Sequence, residues 1–334
     1  MSVDTTPQLA IADAVSLARN VYGLTVAAAI LPSERDQNFA LEAGAGAKYV
    51  LKIAKSDEDR SVLELQNAAL RHAARRSPHL ALPRLIPASS GEDMVLIRDA
   101  HGGSYFMRLL TWLDGDIFVH ASPHDNALLT SLGAVLAEVD WALQGFAHPA
   151  MHRELHWDVK RADLALAHLP LLTGEQQLIV RQFMHAWDSI EWKVLRHSLI
   201  HGDANDYNVL VKDGRVVGLI DFGDMVHSAV VCDLAIALAY ALLDQPDPLD
   251  AAVPIIRGFH ARFPLTWNEI EALYPLMTTR LCMSLCYAAY NAQVKSGDAY
   301  QLVTAGPAWM LLQHLGSIPK KTVQNLFHRA TEHL

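Results

Sequence analysis

A chain of 334 residues, 51% hydrophobic and 19% charged, can bury a sizeable core in one or two domains, and its composition is that of a globular protein. The formal net charge of -9 disfavours a nucleic-acid partner. No apolar stretch reaches ~18 residues without a charge, so no membrane span is expected. The start carries Asp4 and Asp13 without a basic region and an apolar run, so no signal peptide is expected. Three cysteines, Cys232, Cys282 and Cys286, lie in apolar helical surroundings and read as buried free thiols of a protein in a reducing cytoplasm. The seventeen histidines are scattered, without metal-binding spacing.

In chain order, apolar positions at Leu9, Ala12, Val15 and Ala18 predict a helix over 7–22, which Gly23 stops. Strands are expected at 24–31, 38–42 and 48–54, joined by the polar loop 32–37 and a Gly44 to Ala47 turn. The Gly44 to Lys48 stretch is no Walker loop, because no Gly-Lys-Ser/Thr follows it. A helix over 59–75 carries the stripe Val62, Leu65, Ala69 and His72. Strands follow at 94–98 and 105–112, after a proline-punctuated connection. From Pro123 onward helices dominate, at 128–143, 157–167, 174–196, 233–243, 255–263, 267–291 and 299–314. The pattern predicts an α+β chain. A small antiparallel amino-terminal part covers 1–110, and a mostly helical carboxy-terminal part covers 111–334.

One β interruption breaks the helical part. An apolar run ends at His201-Gly202-Asp203, and strands at 208–211 and 216–220 flank Asp213-Gly214, a strong hairpin signal. The second strand delivers Asp221-Phe222-Gly223. The hairpin therefore brings Asp203, Asn208 and Asp221 to one end. An Asp, an Asn five positions later and then Asp-Phe-Gly is the protein-kinase pattern of phosphoryl transfer. That reaction needs an aligned nucleophile and neutralised phosphate charge. Asp203 would accept the hydroxyl proton, while Asn208 and Asp221 would hold Mg2+, a hard ion that takes oxygen ligands. A surface hairpin with ordinary turn aspartates is the alternative. A protein kinase itself is disfavoured, because no Ala-Pro-Glu and no long activation loop follow Asp-Phe-Gly.

Gly202 stands where protein kinases carry arginine. His201-Gly202-Asp203, Asn208 and Ile220-Asp221-Phe222-Gly223-Asp224 resemble the aminoglycoside phosphotransferase and choline kinase superfamily. The wording around Ala204-Asn205-Asp206-Tyr207 and Asp224-Met225 is similar to hydroxylysine kinases and to the phosphotransferase module fused to class III aminotransferases. The resemblance runs from about residue 20 to about 295, densest over 198–245. It implies a two-lobed protein-kinase-like fold. Tyr49-Val50-Leu51-Lys52-Ile53 resembles the kinase strand whose lysine reaches the nucleotide phosphates, here Lys52. Glu64 would pair with that lysine and aim it. Leu110, Thr111 and Trp112 match the segment whose backbone meets the nucleotide base. The loop over the phosphates would be 33–38, with Ser33 and Gln37 as donors. Asp233 matches the aspartate that braces the catalytic loop, although a helix N-cap is an equal reading.

The resemblance implies ATP or GTP as donor and, as acceptor, a small molecule bearing an amine and a hydroxyl, with 5-hydroxylysine the named case. Asp206, Asp224 and Glu154 are candidates to meet its ammonium group, and Arg280 to meet a carboxylate. An aminoglycoside phosphotransferase or a homoserine- or choline-type kinase are alternatives. A non-catalytic nucleotide-binding module is a reading of another class, opposed by the intact Lys52, Asp203, Asn208 and Asp221.

Overall fold

In a computed structural model of the chain, residues 6–33, 36–99, 102–294 and 299–332 are described. The chain divides into two compact units, Met1–Asp114 and Gly115–Leu334, so the boundary falls four residues beyond the expected one. Among the described residues no helix is long and apolar enough to cross a membrane.

The first unit comprises α1 (Ile11–Tyr22), β1 (Val26–Leu31), β2 (Gln37–Ala43), β3 (Lys48–Ile53), α2 (Arg60–Arg76), β4 (Leu85–Ile86), β5 (Val95–Arg98) and β6 (Ser104–Thr111). The sheet is antiparallel in the order β1-β2-β3-β6-β4, and β5 pairs with β6. Strand alternation puts Phe39, Leu41, Leu51, Ile53, Met107 and Leu109 into one core with Ala14 and Ala18 of α1. Lys52 and Arg108 are direct partners across β3 and β6 and face the other way. There Arg108, only 4% exposed, donates to the side chains of Asn67 (2.9 Å) and Gln66 on α2.

The second unit contains β7 (Asp116–Ile117), α3 (Asn126–Leu143), α4 (Ala162–Leu166), α5 (Gly174–Asp188), β8 (His197–Ile200), β9 (Val209–Lys212), β10 (Arg215–Leu219), β11 (Val226–Ala229), α6 (Val231–Ala241), α7 (Pro248–Arg262), α8 (Trp267–Val294), α9 (Ala299–Gly316) and α10 (Lys320–Thr331). Strands β7, β9 and β10 make one small sheet, and β8 pairs with β11 in another. α6 is buried all round and packs on α8.

Some boundaries differ from the sequence reading. α5 ends at Asp188, eight residues early, and a single 3-10 turn at Trp192–Val194 follows. The expected 157–167 helix is a 3-10 turn followed by the short α4. α7 starts at Pro248 rather than 255: proline needs no amide donor at the first helical position, and the Asp247 side chain caps the Asp250 amide.

Two glycines let α3 and α7 touch backbone to backbone. A Cβ on Gly133 would lie 1.9 Å from the Ile255 carbonyl oxygen, and one on Gly258 would lie 2.0 Å from that of Thr130. Neither obstacle is a movable side chain. Gly258→Ala is therefore expected to cost about 3 kcal/mol, the upper range for overpacking, and to lower the thermal midpoint by roughly 10 °C. Calorimetry showing an unchanged midpoint would refute this close crossing.

Candidate active site

The site is built on the β9–β10 hairpin. Asp213 (φ 52°) and Gly214 (φ 69°) form its two-residue turn, both left-handed as a type I′ turn requires. At the other end the Ile220 amide donates to the Asn208 carbonyl (2.9 Å), so Asn208 and Asp221 adjoin across the strands. β8 runs into His201, and β11 returns along it with Val226 opposite Ile200. The segments carrying Asp203 and Asp221 are thereby tied at both ends, with only Met225 between the Phe222–Asp224 turn and β11.

The loop from His201 to Asn208 is held by its own side chains. Gly202 has φ +79°, and a Cβ there would sit 2.3 Å from the Asp224 carbonyl oxygen, so a larger residue at this motif position is excluded. His201 donates from Nε2 to the Ile220 carbonyl (3.0 Å) and accepts the Asp203 amide at Nδ1 (3.2 Å), which fixes its neutral tautomer. Asn205 Oδ1 accepts the amides of Tyr207 (2.9 Å) and Asn208 (3.1 Å). Beneath the loop the fully buried Asp233 accepts the amides of His201 and Gly202, both at 2.7 Å. It makes no cap for α6, so its role is the brace. Asp140 of α3 lies near Asp233; burial, with Asp233 adding, holds its carboxyl well above the usual carboxylate range.

Asp203 ends up with three donors. Asn205 Nδ2 (3.0 Å) and Asn208 Nδ2 (2.9 Å) reach Oδ2, and Arg280 Nη2 (2.7 Å) reaches Oδ1. Burial pushes its carboxyl up to about 6; Arg280 opposes the rise, and Asp224 and Asp221 reinforce it. Asn208 gives a second amide bond to the Asp203 carbonyl (2.9 Å). With both amide hydrogens spent, its Oδ1 remains an acceptor. Asp221 is exposed, sits at φ +57°, an uncommon conformation for a side-chain-bearing residue, and adds a carboxylate at the same end. Hard oxygen donors of this type suit Mg2+. Arg153 secures the turn, donating to the carbonyls of Gly223 (2.6 Å) and Met225 (3.0 Å).

The acidic candidates differ in their surroundings. Asp206 is largely buried with no hydrogen-bond partner on Oδ1, and burial lifts it to about 7, with Asp203 and Asp244 adding to the rise. Asp224 is 4% exposed. Glu154 is a surface residue paired with Arg161 at 2.6 Å. Arg280, expected to meet a substrate carboxylate, is 2% exposed, and its fork is committed to protein groups, Asp203 among them.

The first unit corrects more of the sequence reading. Glu64 is exposed and bonded to Arg60 (2.8 Å), one turn back on α2, so the expected Lys52–Glu64 pair does not form. Lys52 lies 3.8 Å from Asp36. Gln37, expected to donate to phosphate, exchanges two bonds with the backbone of Leu9 (2.8 and 2.9 Å). Ser33 is exposed, and its neighbours Glu34 and Arg35 lie outside the described residues. Leu110 sits within the sheet between Val50 and Leu85. The Thr111 amide donates to the Arg84 carbonyl and the Trp112 amide to the Lys48 carbonyl, so neither is free for a nucleotide base.

Residues 28–273 match the phosphotransferase enzyme family. The chain is 29% identical to a hydroxylysine kinase of Danio rerio over 98% of both chains. It is 30% identical to a hydroxylysine kinase of Mus musculus over 95% of this chain and 92% of that one. An amicoumacin kinase of Bacillus subtilis (strain 168) is 24% identical over 68% of this chain and 67% of its own. Among solved structures, an amicoumacin kinase in complex with AMP-PNP and Ca2+ shares the fold with a TM-score of 0.69 at 14% identity, covering 95% of this chain and 96% of that one. A microcompartment-associated aminopropanol kinase does so at 0.66 and 17%, over 92% and 98%.

Proposed function

The chain belongs to the phosphotransferase enzyme family, and from that premise we propose that it moves the γ-phosphoryl group of ATP or GTP to the hydroxyl of a small amino alcohol, with 5-hydroxylysine the leading candidate. The observation that carries the proposal is Asp203, a carboxylate held by three donors beside an oxygen pair suited to magnesium. In the reaction the acceptor oxygen forms a bond to the γ-phosphorus as the bond to the β,γ-bridging oxygen breaks. Asp203 takes the hydroxyl proton and later releases it to solvent. Asn208 and Asp221 would hold the metal, which neutralises phosphate charge when bound. Lys52 supplies a cation for the nucleotide phosphates.

Two observations support the acceptor class. The hydroxylysine kinases match along nearly the whole chain. Asp206, three residues from the base, carries a buried oxygen without a hydrogen-bond partner, and a buried carboxylate gains most from an ammonium partner. Comparison of kcat/KM for hydroxylysine, ethanolamine, choline, homoserine and kanamycin, each with ATP and GTP, tests it. The highest value is expected for hydroxylysine. The amicoumacin kinase relative favours an antibiotic as second reading, and a marked preference for kanamycin would replace the first reading with that one.

The magnesium assignment predicts that Asp221→Asn, which tolerates the same backbone conformation, weakens magnesium-dependent nucleotide binding by at least ~10-fold with little change in thermal midpoint. Titration calorimetry with a non-hydrolysable nucleotide, with and without magnesium, reads this directly. An unchanged magnesium dependence would remove Asp221 from the metal site.

A further inference from the structure

Arg280 of α8 is among the largest fully buried side chains of the described residues, and its guanidinium is held by three residues. Nη2 donates to Asp203 Oδ1 (2.7 Å), Nη1 to the Trp157 carbonyl (2.9 Å) and Nε to the Tyr240 hydroxyl (3.2 Å). Its Cζ lies over the Trp157 ring, 4.5 Å from the centroid, and over the Tyr240 ring at 5.5 Å. The hydroxyl chain behind it has one consistent direction. Ser284 donates to the Arg280 carbonyl (3.1 Å), so Tyr240 donates to Ser284 (3.1 Å) and keeps its oxygen for Arg280 Nε. The guanidinium therefore cannot swing toward a ligand without abandoning several bonds at once. A buried cation held this firmly against one oxygen of a carboxylate sets where that oxygen sits.

An ionised carboxylate offers about four lone-pair positions. On Asp203, Asn205 and Asn208 take the two of Oδ2, and Arg280 takes one of Oδ1. The remaining position is the second lone pair of Oδ1. We propose that Arg280 is a positioning residue of the transfer step: it locks the Asp203 carboxylate so that this lone pair faces the incoming hydroxyl and receives its proton. The proposal rests on Asp203 being the base and is independent of which alcohol the enzyme takes. Arg280 touches neither substrate nor nucleotide in this role. It acts through Asp203, and its effect belongs in turnover rather than in binding.

The test compares Arg280→Lys and Arg280→Ala with wild type in two reactions, transfer to the best acceptor of the panel and slow nucleotide hydrolysis to water. Lysine keeps the charge but lacks the planar fork that meets Asp203, Trp157 and Tyr240 together. Misplacing a reacting group by about 1 Å costs on the order of 100-fold. The expected result is a fall in kcat of roughly 10–100-fold for Arg280→Lys and more for Arg280→Ala, with KM for nucleotide and acceptor within about 3-fold of wild type. Guanidinium ion added to Arg280→Ala is expected to restore part of kcat, which a structural role alone would not produce. Should Arg280→Ala fail to fold, Tyr240→Phe removes the oxygen that holds Nε and is expected to lower kcat about 5-fold at unchanged KM. Failure of the amino-alcohol reading leaves the water reaction as a readout, so the two ideas fail separately. Wild-type kcat in folded Arg280→Lys, or a loss confined to KM, would overturn the proposal.

Discussion

Asp203→Asn is expected to lower the rate of phosphoryl transfer by about 10²–10⁴-fold, the usual contribution of a general base. The amide cannot take up the acceptor's proton at neutral pH. The three donors around the carboxylate sharpen the prediction. Whichever way the new amide is turned, its NH2 faces either Arg280 or the pair Asn205 and Asn208, donor against donor. Either clash leaves at least one donor facing Asp203 without its acceptor, Arg280 in one orientation and the two asparagine amides in the other, and adds a stability cost of about 1–3 kcal/mol. Nucleotide affinity is expected to stay within a few-fold, because the phosphate and metal groups are other residues. Rapid-quench single-turnover kinetics and calorimetric nucleotide binding separate the two effects. A mutant transferring at the wild-type rate would remove Asp203 from the chemistry.

Asp233→Ala is expected to cost stability and activity together. The wild-type carboxylate satisfies two backbone amides, of His201 and Gly202, in a place without solvent. Each orphaned amide costs about 1–3 kcal/mol, so a loss of roughly 3–5 kcal/mol is expected, enough to consume a large part of the stability of a marginal fold. Asp233→Asn should fall between, since its single oxygen can still accept an amide. Denaturant unfolding gives the ordering wild type, Asn, Ala. An alanine variant as stable as wild type would mean that the loop is braced by something else.

The parts of the site legible in the sequence are those whose geometry is local. His201-Gly202-Asp203, Asn208 and Asp221 are set by a hairpin of known register, and the Asp213-Gly214 turn announces that hairpin. Arg280 and Arg153 bond Asp203 and Gly223 across sequence separations of 77 and 70 residues, and no spacing rule reaches that far. The Lys52–Glu64 pair failed for a readable reason. The stripe Val62, Leu65 and Ala69 already places position 64 about 200° from Val62 on a 3.6-residue helix, pointing outward. Gln66 and Asn67, about one turn beyond Val62, are the polar residues on the inward face, and both bond Arg108. The kinase pattern invited a glutamate, and the periodicity of this helix excluded it. The amides of Thr111 and Trp112 are taken by the carbonyls of Arg84 and Lys48, partners that a strand-and-turn pattern does not name.

The central claim is transfer of a phosphoryl group to an alcohol at Asp203. The most direct measurement is a phosphorus NMR time course of the wild-type protein with 5-hydroxylysine, magnesium and ATP, repeated with GTP and with Asp203→Asn. The account predicts a growing phosphate monoester resonance matched by nucleoside diphosphate in wild type, and neither in the mutant. Nucleotide left intact, or consumed only to inorganic phosphate at the same rate with and without the alcohol, would contradict it.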